Sequence, residues 1–340
     1  MNLLKSKQSK FLLLLLMLPT LFVLDLMVGS AHIEIHEIWT ILNGSQTNEA
    51  HQIIFFESRI PKAVTAVLVG IALSISGLLM QNLFQNPLAG PYILGISSGA
   101  GLGVAFLIMG ASFLGISIGV GWSITLAAMF GSTVVLFILF LLSMKIKDVM
   151  TLLILGVMIG AIATAITGIL QFFSTDIQLK SFMLWTLGSL DSVTNDELPL
   201  ISFIVLIVSI IVFFFSKSMN ALLLGEEYAK SIGVSILANR MVIIFSSGCL
   251  AGIVTAYCGP IGFIGIVVPH LCRLWFQTTD HIILIPAVML MGASMLLFSD
   301  VLSTLPMAYV KLPINSITAL LGIPIILWII LNRRTISSGF

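Results

Sequence analysis

Residues 81–101 read QNLFQNPLAGPYILGISSGAG. Two prolines, four glycines, two asparagines and two glutamines crowd into a chain of 340 residues that is 59% hydrophobic and 9% charged. A soluble domain carries roughly 25% charged residues, so this chain cannot cover a surface that faces water on all sides. Its mean hydropathy is +1.16. Runs such as Phe11–Met27, Ala63–Met80, Ile201–Phe215 and Ile317–Leu331 are membrane-grade, since about 20 apolar residues span a bilayer core as a helix. The breakers in 81–101 therefore sit inside a polytopic, all-α membrane protein, where each must have a local reason.

The apolar pattern places ten spans near 11–28, 63–81, 92–110, 119–142, 151–173, 198–216, 240–257, 260–275, 282–299 and 314–331. The first of these, Phe11–Val28, exceeds the roughly 7–15 residues of a signal-peptide core and reads as a span rather than a cleaved leader. Ten is even, so both termini share a side. With both cytoplasmic, the inner segments hold 11 of the 15 lysines and arginines and the outer ones only Arg59, Lys62, Lys180 and Lys311. The positive-inside rule selects that orientation. No soluble-length insertion interrupts residues 1–340, so the chain forms one membrane domain. Ser181–Ser192, around Trp185, reads as a short helix at the outer interface, where tryptophan is favoured.

Within the opening stretch, Gln85–Pro91 reads as a cytoplasmic turn, where proline's fixed φ and missing N–H do no harm. From Tyr92 a helix is expected in which Gly95, Gly99 and Gly103 share one face. Small residues four apart let helices approach closely in lipid, and Gly156/Gly160 and Gly248/Gly252 repeat the spacing. Gly95-Ile96-Ser97-Ser98-Gly99 matches the hydrolase nucleophile elbow by composition, but the strand-to-helix turn of that motif is missing. Gly99-Ala100-Gly101-Leu102-Gly103 likewise lacks the strand of a nucleotide fold. No G-x-x-x-x-G-K-[ST] occurs, so the chain carries no P-loop of its own.

Neither cofactor nor catalytic set is expected. Cys249, Cys258 and Cys272 lie in apolar segments without metal-ligand spacing and read as small hydrophobes. His32, Glu34 and His36 alternate in the first outer segment, with His51 beyond; a solvated loop accounts for them better than a metal site. His270 and Arg273 read as a structural pair at an inner helix end. Asp25 and Asp300 fall at outer helix ends, and no series of ionisable residues crosses the membrane. Ion-coupled transporters depend on such residues, which argues for an energy source outside this chain. Met219–Gly233, MNALLLGEEYAKSIG, is too polar to span. It reads as a short amphipathic helix with a break at Gly225, an i, i+4 pair Glu226/Lys230 and Gly233 as C-cap. Such a helix lies on a membrane or enters a partner's groove; its pattern leaves both open.

QNPLAGPYILGISSGAG (85–101), LGEEYAKSIGV (224–234) and GPIGFIGIVVPHLCRLW (259–275) resemble the FecCD-type permeases of ABC importers for iron–siderophore complexes, haem and cobalamin. Arg59–Lys62, Asp300–Leu305 and LGIPIILW (321–328) fit the same order, so the resemblance spans nearly the whole chain. It implies a type II importer fold in which two permease copies of ten helices form a pathway in the plasma membrane. It also implies two ATP-binding cassette subunits in the cytoplasm and an extracytoplasmic substrate-binding protein, with no nucleic-acid partner. The segment within 219–236 would couple to the ATPase, through Leu224, Gly225, Glu226, Glu227, Ala229 and Gly233. Arg59 and Lys62 match the outer basic positions that dock the binding protein; a third such position falls near Thr304. Val149 and Met150 match the inner gate. An iron–siderophore complex is the expected cargo, with haem and cobalamin as alternatives and an ion-gradient transporter as the rival class.

Overall fold

The computed structural model describes residues 2–29, 35–43, 48–110, 122–146, 148–305 and 311–331, and these contain helices and no strand. In chain order they are α1 (Asn2–Met27), α2 (Ile35–Leu42), α3 (Glu49–Phe84), α4 (Ile96–Gly110), α5 (Trp122–Lys145), α6 (Val149–Phe172) and α7 (Asp176–Thr186). There follow α8 (Leu198–Phe214), α9 (Ser216–Leu223), α10 (Glu226–Ser231), α11 (Ile236–Cys258), α12 (Ile264–Phe276), α13 (His281–Thr304) and α14 (Ile314–Leu331). Each of the ten expected spans contains an apolar helix. Length and composition qualify six as crossings, or seven if α8 and α9, bent by 52°, count as one. The apolar parts of α4, α12 and α14 are short.

The short helices have identifiable starts. The expected third span does not begin at Tyr92: residues 91–95 turn, and α4 starts at Ile96 with Gly95 as its N-cap. Gly95 thus lies outside the helix that was to carry it. The expected eighth span begins at Ile264 because Phe263 adopts φ 68° and ψ −37°. The Ile264 N–H donates to the Gly262 carbonyl at 2.8 Å, a three-residue γ-turn of the rare, strained hand. The interfacial helix around Trp185 starts earlier than Ser181, because Thr175 and Gln178 form a reciprocal capping box before Asp176.

α3 is the axis of the fold. It is continuous over 36 residues, with a π turn at Phe55–Arg59 before Pro61, and it packs against α8, α11, α12 and α13. α4, α5 and α6 form a second group, joined to the first through α11. In lipid the apolar surface of a helix gains little by leaving its solvent, so close packing and polar contacts must hold the bundle. Backbones meet directly at the glycines. A Cβ on Gly70 would lie 2.4 Å from the Gly292 carbonyl oxygen, and one on Gly77 1.7 Å from that of Gly265. Gly99 meets Gly131 and Val135 of α5, Gly103 meets Ala127, and Gly95 meets Gly156 and Gly160 of α6. The expected glycine face is therefore divided between two partners.

Gly77→Val forces α3 off the loop-to-helix entry of α12. Overpacking typically costs 1–3 kcal/mol, and with backbone as the obstacle we expect at least about 3 kcal/mol and a clear fall in the thermal midpoint of the detergent-solubilised protein. Gly168→Ala, where a Cβ meets nothing within 4 Å, should leave the midpoint unchanged.

Candidate functional site

Two clusters of polar residues mark opposite ends of the bundle. At one end α3 begins, α1 and α13 finish, and Lys62 is enclosed between them. Its ammonium lies 3.2 Å from Asp25 Oδ1 and 2.7 Å from Asp300 Oδ2, with both carboxylates fully buried. Asp300 Oδ1 also meets Lys311 at 2.8 Å, and Lys311 reaches Asp191 at 2.7 Å. The neighbouring Arg59 is buried and donates to the carbonyls of Leu26 and Met27. These are the last carbonyls of α1, which carry the negative end of its dipole.

The outer basic dock expected at Arg59 and Lys62 thus falls on two side chains that also make contacts within the chain. Both side chains are buried, Arg59 against the end of α1 and Lys62 between α1 and α13. Thr304, near the third expected position, donates to the Asp300 carbonyl, while Lys311 brings a cation to that neighbourhood. Asp25 and Asp300 look like ordinary helix-end acids in the sequence. Only tertiary contact shows that they flank one lysine.

At the other end α3 finishes, α13 begins and residues 216–234 fold as two short helices. α10 starts at Gly225 (φ 106°) and ends at Gly233 (φ 86°), conformations that side chains with a Cβ rarely adopt. The Val234 N–H donates to the Ala229 carbonyl at 2.9 Å and the Gly233 N–H to that of Lys230 at 3.0 Å, the paired bonds of a Schellman motif. Leu224, Tyr228 and Ile232 are exposed along the segment, and Glu227 is 90% exposed. Two details differ from expectation. Ala229 faces inward and is fully buried. Lys230 ion-pairs with Glu227 at 2.7 Å, and Glu226 pairs with Arg240 at 3.3 Å, because the helix starts only at Glu226 and its first turn directs the two acids apart. The Glu227 carboxyl is held below its usual range by the Lys230 ammonium, which is itself raised in return.

Beside this segment is a cavity of about 470 Å³, lined among others by Val149, Met150, Leu222, Gly225, Glu226 and Arg240. The structure thus brings the two residues expected at a gate against two expected in coupling. Asp148 fixes the backbone at Val149 and Met150. Its carboxylate accepts from the Thr151 N–H at 2.8 Å and the Thr151 hydroxyl at 2.5 Å, capping α6. Those bonds hold the Asp148 carboxyl below its ordinary range. Arg240 closes the far wall by donating to the Ile146 carbonyl at 3.0 Å.

The opening stretch supplies further ties at this end. Gln81 Nε2 donates to the carbonyls of Pro87 (2.8 Å) and Ile266 (3.1 Å), and its Oε1 accepts from Arg273. Arg273 thus turns to α3, while His270, expected beside it, is buried with Nε2 lacking a hydrogen-bond partner. Lys10 of α1 donates to the Trp275 carbonyl at 2.7 Å. Of the outer histidine segment, His32 and Glu34 lie outside the described residues; His36 is exposed, and His51 meets Glu37 at 2.5 Å. Among the described residues no three metal-ligating side chains cluster.

Residues 14–332 match the model of the FecCD transport family. The chain belongs to the FecCD transport family. It is 36% identical over 330 residues to the vitamin B12 import system permease protein BtuC of Klebsiella pneumoniae, covering 97% of this chain and 95% of that one. It is 37% identical over 330 residues to the hemin transport system permease protein HmuU of Yersinia pestis, with 97% and 96% covered. A solved inward-facing structure assigned to the metal-chelate type of ABC transporter superposes with a TM-score of 0.82 at 28% identity, covering 96% of this chain and 99% of that one. The fold is that of an ABC-transporter permease.

Lys62→Met should strand Asp25 in the bundle. Removing one partner of a buried pair typically costs 3–5 kcal/mol, so the thermal midpoint in detergent should fall sharply. Adding Asp25→Leu should recover part of the loss, and no recovery would argue against the pairing.

Proposed function

We propose that this chain is the membrane-spanning subunit of an ATP-driven importer that carries a metal chelate, most directly an iron–siderophore complex, into the cytoplasm. Both termini and residues 219–234 face the cytoplasm, following the distribution of basic residues. Two copies form the pathway, and two separate ATPase subunits and an extracytoplasmic binding protein complete the importer. The chain itself performs no chemistry. The relatives named for vitamin B12 and hemin support a large chelate as cargo and keep cobalamin and haem as alternatives within the same mechanism.

The observation that carries this proposal is the continuity between the exposed segment and the gate. Leu224, Tyr228 and Ile232 offer apolar contacts outward, while Gly225 and Glu226 of the same segment line the cavity that Val149 and Met150 also line. An ATPase engaging that stripe would move the cavity wall directly. Apolar side chains at the gate suit a constriction that excludes water and ions. Charge scarcity supports external energy: the buried carboxylates Asp25 and Asp300 are clustered at one end with lysines rather than arrayed across the membrane.

Gly225→Glu and Gly233→Glu put side chains where the backbone disfavours them. In proteoliposomes carrying the permease, its ATPase and its binding protein, both should uncouple ATP hydrolysis from uptake of a ferric siderophore. Normal transport by both would refute the assignment of this segment. For the cargo, ferric siderophores, haem and cyanocobalamin should be compared in the same proteoliposomes; ATP-dependent accumulation of cyanocobalamin or haem alone would replace the siderophore.

A further inference from the structure

Asn220 of α9 sits at the centre of a compact polar cluster. Its Oδ1 accepts from the His281 backbone N–H at 2.8 Å and from His281 Nδ1 at 2.7 Å, and its Nδ2 donates to Asp280 Oδ1 at 2.7 Å. Asp280 is the N-cap of α13, accepting from the Ile282 N–H at 3.0 Å. On the far side of the imidazole, His281 Nε2 lies 3.2 Å from Asn82 Nδ2, whose amide also points to the Met219 carbonyl at 3.5 Å. His281 and Asn82 are buried.

The partners fix the protonation pattern. Asn220 Oδ1 can only accept, so Nδ1 of His281 carries the proton. Asn82 Nδ2 can only donate, so Nε2 accepts. A neutral imidazole satisfies both, and its ring links the last turn of α3 to the first turn of α13 and to α9. The three elements come from distant parts of the sequence.

We infer that Asn220, His281 and Asn82 are positioning residues that clamp the segment 216–234 to the ends of α3 and α13, so that displacement of the segment is delivered to those two helices as a rigid-body movement. The inference rests on the proposal that this segment receives the ATPase. A displacement of α9 alone by more than an ångström or so would stretch the bonds of Asn220 beyond hydrogen-bond range. Moving α3 and α13 with it preserves them. The same two helices are tied again at the opposite end, where Lys62 of α3 meets Asp300 of α13. With 24 residues in α13, the pair reaches about 36 Å at 1.5 Å per residue. Clamps at both ends and glycine contacts between them make the pair act as one strut from the segment to the far side.

The test uses the complete importer, with its ATPase and binding protein, in a Cys249→Ser background. A bimane fluorophore is placed at Glu227→Cys on the segment or at Phe298→Cys on the exposed face of α13, and emission is read with and without ATP–vanadate trapping. Both positions should respond in the parent protein. In Asn220→Ala and His281→Ala the Glu227 site should still respond. The response at Phe298 should fall at least about fivefold, the lower bound of a typical coupling between sites. Asn220→Ser, which retains an acceptor for the His281 N–H, gives a milder lesion and should show an intermediate loss if Asn220→Ala does not assemble. An undiminished Phe298 response alongside an intact Glu227 response would overturn the clamp and leave the ATPase assignment standing. A parent protein whose Glu227 site ignores nucleotide would overturn the assignment, and the clamp with it.

Discussion

The direct contact of α3 with α13, and of α3 with the entry to α12, is the constraint on which the rest of the structure depends. Gly70 against Gly292 and Gly77 against Gly265 bring backbone to backbone at distances no side chain tolerates. In water, burial of larger side chains would offer an alternative route to stability; within lipid that driving force is largely missing. The bundle is therefore held by fit and by polar groups that have no better partner. Each glycine that permits the contact also fixes the rotation of α3, and with it which residues at its two ends point inward.

That rotation explains why the polar residues of α3 gather at its ends. Lys62 at one end and Gln81 and Asn82 at the other are separated by a stretch that contacts its neighbours chiefly through small and apolar groups, with Ser76 hydrogen-bonded to Ser247 of α11 as a polar exception. A buried ion pair gains little net stability over an apolar substitute, but losing one partner is costly. Such a pair enforces a unique arrangement more effectively than it deepens the well. Asp25, Lys62 and Asp300 permit one relative placement of α1, α3 and α13, and the Asn82–His281–Asn220 cluster permits one placement of α9.

Much of this was legible in the sequence, for reasons specific to each feature. Apolar runs reveal membrane helices because lipid imposes length and composition on them, and the motifs around 85–101, 224–234 and 259–275 carried the family. The breaks at Gly225 and Gly233 were legible because glycine's positive φ is a local property. Pairings were not. Lys62 carries the same local pattern whether it faces a partner or two aspartates, and Glu226 stands four residues from Lys230 whether or not a helix begins before it. Ala229 gave no sign of its burial, since alanine suits either face. The start of α4 at Ile96 was missed because residues 91–95 are as apolar as the helix that follows, and the turn is set by contacts with α6 and the α12 entry. Asn82 and His281 are 199 residues apart, and no periodicity connects them.

The opening stretch therefore does more than interrupt a helix. Its first two residues anchor α3: Gln81 to the turn at Pro87, to Ile266 and to Arg273, and Asn82 to His281 and Met219. Its prolines form the turn those side chains hold, and its later glycines seat α4 on α5 and α6. Asn82, Leu83, Phe84 and Gln85 line the cavity with Val149 and Met150, so the residues that end α3 also form part of its wall. A polar residue at this depth would be costly if it were left unpaired. Here Gln81 and the Asn82 amide nitrogen are paired, and under the proposed function a wall held in this way is what would let the short exposed segment act on a gate at Val149 and Met150.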